Sequence, residues 1–155
     1  MKKGWIVLFA AILITGVFAC GGGGDDTSEE EVSEGYSMLE KEADPKDSKG
    51  VGPVSELLLD DGIDQKMADA GSVIFEAKCT ACHKPTEKHI GPAPQGVLDR
   101  RSPEWVMNMI LNPEEMVQKD PVAKKLLMEF NGSPMANQNL TEAEARSVLE
   151  YFRTL

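Results

Sequence analysis

The sequence predicts an all-α domain behind a long acidic segment, on three observations. Apolar residues after position 66 recur at helical rather than strand spacing. Helix starts are written out as Ser102-Pro103, Asp120-Pro121 and Thr141-Glu142-Ala143-Glu144. No stretch near them alternates polar and apolar residues as a half-buried strand would.

Met67, Ala70, Gly71, Ile74 and Phe75 fall at i, i+3, i+4, i+7 and i+8, one face of a helix running into Cys79. Gly91-Pro92-Ala93-Pro94 cannot be helical and marks a rigid loop. Ser102 is an N-cap with proline at the first helical position, and the helix it opens carries Trp105, Val106, Met109 and Ile110 before Asn112-Pro113 stops it. Asp120-Pro121 repeats that start, with Val122, Leu126, Leu127 and Phe130 as the apolar stripe and Asn131-Gly132 as the end. Thr141 and Glu144 form a capping box for a last helix with Ala145, Val148, Leu149 and Phe152 on one side. About four helices over residues 63–155 make one small domain. Val51, Val54, Leu57, Leu58 and Leu59 are expected to pack on it as an N-terminal arm.

Between the first helix and the rigid loop stands Cys79-Thr80-Ala81-Cys82-His83. A Cys-x-x-Cys pair can be a redox dithiol, but that use wants a βαβ context, and none flanks it. A tetrahedral zinc site needs four ligands, whereas the whole chain has three cysteines and two histidines. A disulfide across two intervening residues would be strained. Two thiols at this spacing followed at once by a histidine read as a c-type haem attachment site: Cys79 and Cys82 take the porphyrin and His83 the iron.

The first nineteen residues are expected to be an export signal. Lys2 and Lys3 precede an apolar run over residues 5–18, too short for a transmembrane span of about 20 residues but suited to a secretory leader. It ends at Val17-Phe18-Ala19-Cys20, which resembles a bacterial lipoprotein signal with Cys20 as the lipidated N-terminus. The alternatives are an ordinary signal peptide and an uncleaved anchor. The net charge of −10 is unevenly placed. Residues 21–65 carry fourteen acidic side chains against three lysines, and the rest of the chain is nearly balanced. Rich in Gly, Asp, Glu and Ser, residues 20–62 are expected to be a flexible acidic linker.

With these residues placed, the segment from about Ile63 to Leu155 resembles a class I bacterial cytochrome c. Gly71-x-x-x-Phe75 is similar to the family's N-terminal helix, where the glycine lets the C-terminal helix cross closely. Leu149-Glu150-Tyr151-Phe152 resembles that partner helix, with Tyr151 at the contact. Gly91-Pro92 is similar to the Gly-Pro whose proline carbonyl accepts the axial histidine's other N–H, a bond that fixes the ring and raises its basicity.

The resemblance also implies a methionine as second axial ligand. Met67, Met107, Met109 and Met128 fall at core-like helical positions, where methionine fills space. Met135, in the turn-rich run Ser133-Pro134-Met135-Ala136-Asn137-Gln138-Asn139-Leu140-Thr141, resembles the family's methionine loop, with Ala136 where proline is common. Met135 is the expected ligand and Met116 the alternative. Arg100, Arg101 and Trp105 are candidates for the haem propionates. His89 reads as an exposed loop residue. Lys78, Lys84 and Lys88 would form a positive rim, diluted by Glu76 and Glu87.

The expected function is one-electron transport on a single covalent haem c, in a monomer tethered outside the cytoplasm, exchanging electrons with membrane-bound redox proteins and not binding nucleic acid. No acid–base pair or substrate pocket suggests an enzyme. The alternatives are a haem sensor or catalytic haem with a labile sixth ligand, or a permanent subunit of a terminal oxidase or nitrogen-oxide reductase.

Overall fold

The computed structural model describes residues 44–155. The leader, Cys20 and the linker up to residue 43 lie outside the described residues. Within them the chain is helical, with no strand, in the order α1 (Gln65–Lys78), α2 (Val97–Arg100), α3 (Pro103–Leu111), α4 (Pro113–Lys119), α5 (Pro121–Glu129) and α6 (Glu142–Phe152).

The helix starts form as their sequences dictate. The Asp64 side chain accepts the Met67 N–H, Ser102 that of Trp105 and Asp120 that of Ala123, each meeting a donor that the first turn leaves without a helical partner. Thr141 and Glu144 close a reciprocal capping box on α6. Helix α5 ends with Asn131 at φ 58°, the Gly132 N–H reaching the Leu127 carbonyl and the Asn131 N–H reaching Met128. This is a Schellman stop, with asparagine at the left-handed position that glycine usually takes.

Two helices were not predicted. Helix α2 is a single turn. Helix α4 begins at Pro113, which in the sequence reads only as a stop: Asn112 is at once the C-cap of α3 and the N-cap of α4. Proline cannot continue α3 but is well placed at the first position of a new helix.

Helices α1 and α6 cross where Gly71 meets Ser147, and a Cβ on Gly71 would lie 1.9 Å from the Ser147 carbonyl oxygen. Phe75 packs beside this crossing on Tyr151 and Phe152, with centroid separations of 5.4 and 5.7 Å. The buried core runs from there through Ala145, Val148 and Leu149 of α6 to Trp105, Val106 and Ile110 of α3, then to Met116 and Ala123. On α1 it is Ala68, not Ala70, that joins Gly71 and Phe75 inside.

The arm packs as expected, and the packed structure reaches upstream of residue 63. Val54 is buried, Leu57 and Leu59 rest on the core, and Leu58 points out. Asn108, on α3, accepts the Val54 N–H and donates to the carbonyls of Val54 and Lys49. Residues 48–59 of the expected linker are therefore part of the domain.

Candidate functional site

Helix α1 ends at Cys79, and the next four residues fold back over its last turn. The N–H groups of Cys82 and His83 both reach the Cys79 carbonyl, at 3.1 and 2.9 Å, and the Gly91 N–H returns to the Cys82 carbonyl at 2.8 Å. The loop after the motif is thereby pulled beside the His83 ring. A Cβ on Gly91 would lie 2.4 Å from His83 Cε1, so the glycine is needed for space. His83 Nδ1 is 2.8 Å from the Pro92 carbonyl oxygen. A carbonyl only accepts, so Nδ1 carries the proton and Nε2 keeps its lone pair.

These residues line one face of a largely apolar cleft of about 240 Å³. Met109 and Ile110 of α3, Leu126 and Leu127 of α5, and Phe130 supply further walls, and the loop between α5 and α6 brings in Met135. The cleft gathers Cys79, Cys82, His83, Pro92, Arg100, Arg101, Trp105 and Met135, all the site residues named from the sequence except Cys20, which lies outside the described residues. Burial pushes the Cys79 thiol up from its ordinary value, Lys78 opposing and Cys82 adding to the effect, so it stays a neutral thiol. Among the described residues, no cluster of three or more His, Cys, Asp or Glu side chains could hold a metal ion.

The methionines separate cleanly. Met116 is fully buried away from the cleft, and its sulfur accepts the Val51 N–H at 3.0 Å, which gives it a structural use in holding the arm. Met107 is buried and Met109 half-buried. Met128, expected at a core-like position, is 75% exposed on the outer face of α5. Met135 is half-buried against the core at the cleft. The Asn137 side chain ties its loop to the Leu111 carbonyl at the end of α3.

Trp105, one of three candidates for the propionates, donates its indole N–H to Asp120 Oδ1 at 3.0 Å, and its ring serves as cleft wall. In the sequence Asp120 reads only as a helix cap, because nothing in the spacing reveals a contact across the α3–α4 break. The arginines also differ. Arg100 donates to the carbonyls of Gln95 and Ala93, whereas the Arg101 guanidinium lies over the Trp105 ring, 5.2 Å from its centroid. Burial pulls Arg101 below its ordinary value, Arg100 adding to this while Glu129 and Asp120 oppose it. His89 is exposed, Lys78 lines the cleft, and Lys88 sits over the Phe130 ring, 4.4 Å from its centroid.

The family model for cytochrome c matches residues 68–155. Among solved structures, the chain is similar to a cytochrome c from Rhodothermus marinus, with 44% identity over 66% of this chain and 88% of that one, at a TM-score of 0.64. An engineered cytochrome c from the same organism, bound to a carbene intermediate, is 44% identical over 66% of this chain and 88% of its own, with a TM-score of 0.61. A cytochrome c domain from Pseudomonas putida is 30% identical over 54% of this chain and 85% of its own, with a TM-score of 0.51. No curated protein matches the chain.

Proposed function

The chain belongs to the cytochrome c family, whose domain implies haem-based electron transfer, and from that premise we propose that it is a membrane-tethered carrier of single electrons with one covalent haem c. The observation that carries this reading is the convergence of two thiols, an imidazole with a free Nε2, and a thioether on one apolar cleft.

The residues fit that group. Cys79 and Cys82 would hold it through thioether bonds, and His83 Nε2 and the Met135 sulfur would bind its iron. Arg101, whose guanidinium is less occupied by backbone carbonyls than that of Arg100, would meet a propionate. When bound, the haem would supply reversible one-electron chemistry, at a potential that a methionine ligand raises.

The protein's own part is positioning. The Pro92 carbonyl fixes the His83 tautomer and orientation. The apolar walls keep water from the site, which favours the less charged reduced state. Gly91 leaves room for the ring beside the loop. Electron transport, rather than turnover of a substrate, is the role these groups support.

Export and tethering complete the proposal. Cytochrome c domains are typically exported to the periplasm, and the leader ending at Cys20 supplies a route to the envelope and a lipid anchor. Among the described residues no helix is long and apolar enough to cross a membrane. The partners would be membrane-bound donors and acceptors, with the domain acting as a monomer. The reading is tested by the spectra of the exported protein in both oxidation states. Low-spin haem with a sulfur-to-iron charge-transfer band near the infrared in the oxidised form supports it. A spectrum of five-coordinate haem contradicts it.

A further inference from the structure

Asp120 stands where α4 gives way to α5, and it is only 4% exposed. Its Oδ1 accepts the Ala123 N–H at 2.7 Å and the Trp105 indole N–H at 3.0 Å, while Oδ2 accepts the Ser48 hydroxyl at 2.7 Å. Helix capping accounts for the first bond alone. The second fixes a cleft wall, and the third ties in the N-terminal arm, 72 positions away in sequence.

The arm is built around this carboxylate. The Ser48 carbonyl accepts the Ser102 hydroxyl at 2.6 Å, and that same hydroxyl caps α3 by accepting the Trp105 N–H. Ser48 Oγ also accepts the Gly50 N–H. Two of the groups that donate to Asp120, Trp105 and Ala123, belong to residues that line the cleft. A carboxylate therefore sits one side chain behind the wall of the redox site, in surroundings where water screens charge poorly. Arg101, stacked over Trp105, faces the same region.

We infer that Asp120 is a positioning residue for the redox site: its charge, held behind Trp105 and partly offset by the Ser48 hydroxyl of the arm, biases the one-electron equilibrium toward the oxidised state. The inference rests on the haem reading above. Loss of an electron leaves the site one unit more positive, and a fixed negative charge nearby stabilises that state. A hydroxyl dipole donated to the carboxylate weakens its field. The arm thus belongs to the electrostatics of the site as well as to the tether.

The test compares reduction potentials of the full-length holoprotein with those of Asp120→Asn and Ser48→Ala, with covalent haem measured on each. Asparagine keeps an acceptor for Trp105 and Ala123 but removes the charge. It should raise the potential so that the reduced-to-oxidised ratio at a fixed electrode potential increases about tenfold, which is 59 mV for a one-electron couple. Ser48→Ala keeps the charge and removes a donor, so its potential should shift by less and in the opposite direction. Loosened packing would not give opposite signs. Wild-type protein without covalent haem would overturn the functional reading itself. With haem present, an unchanged potential in Asp120→Asn overturns this inference alone. Should Asp120→Asn fail to accumulate, Ser48→Ala decides, and an unchanged or raised potential there is the contrary result.

Discussion

The Pro92 carbonyl oxygen lies 2.8 Å from His83 Nδ1, and the residue before it, Gly91, has no room for a side chain against the same ring. One loop thus fixes both the proton position of the imidazole and its tilt. Gly91 does not adopt positive φ, so steric space explains its identity. Gly91→Ala should push the ring from its seat, cost about 1–3 kcal/mol, and weaken the axial bond. Urea titration of the oxidised holoprotein, followed at the Soret band, reads the loss.

Gly71→Ala should be more severe. The added Cβ would meet the backbone oxygen of Ser147 at 1.9 Å, and backbone cannot swing aside as a side-chain end can. Helices α1 and α6 would have to separate, at a cost of about 3 kcal/mol, which for a domain of this size lowers Tm by about 12 °C or more. Gly62→Ala, where nothing lies within 4 Å, is the matched control and should leave Tm unchanged. Equal effects at the two positions would refute the close-crossing account.

Met135→Ala and Met116→Ala should separate ligation from packing. The first should remove the near-infrared charge-transfer band and lower the potential while leaving haem covalently bound. The second should keep the band but destabilise the domain by about 2–5 kcal/mol, because Met116 is fully buried and anchors the arm at Val51. Loss of the band in Met116→Ala alone would reverse the assignment.

Acid should weaken the fold through Glu150. Burial pushes its carboxyl up, but hydrogen bonds from the Arg146 side chain, the Asp64 N–H and the Arg153 side chain outweigh that, and it sits below the ordinary value. A folded-state value below the unfolded one contributes stability above the ordinary carboxylate range. That contribution is lost as pH falls through the folded value. Urea midpoints should therefore drop between about pH 5 and pH 3, and Glu150→Gln should be less stable at neutral pH with a flatter acid limb. An acid limb unchanged by that substitution would contradict this role for Glu150.

Much of this was legible in the sequence because its signals are local. Ser102, Asp120 and Thr141 each cap a helix through a donor three residues on, a relation that spacing alone reveals. The attachment motif and the methionine loop are equally compact. What was not legible depends on contacts between distant elements. Pro113 reads as a stop, and only packing shows that it also starts α4. The bond from the Val51 N–H to the Met116 sulfur joins residues 65 positions apart and leaves no mark in the spacing. The bond from the Trp105 indole to Asp120 is equally hidden, because no sequence pattern links the two residues.

The mass of the intact exported protein after acid denaturation tests the central claim most directly. The account predicts one haem per chain, retained through Cys79 and Cys82, and none in the Cys79→Ala/Cys82→Ala double variant. A wild-type chain with the mass of polypeptide alone, or a double variant that still carries covalent haem, would contradict it.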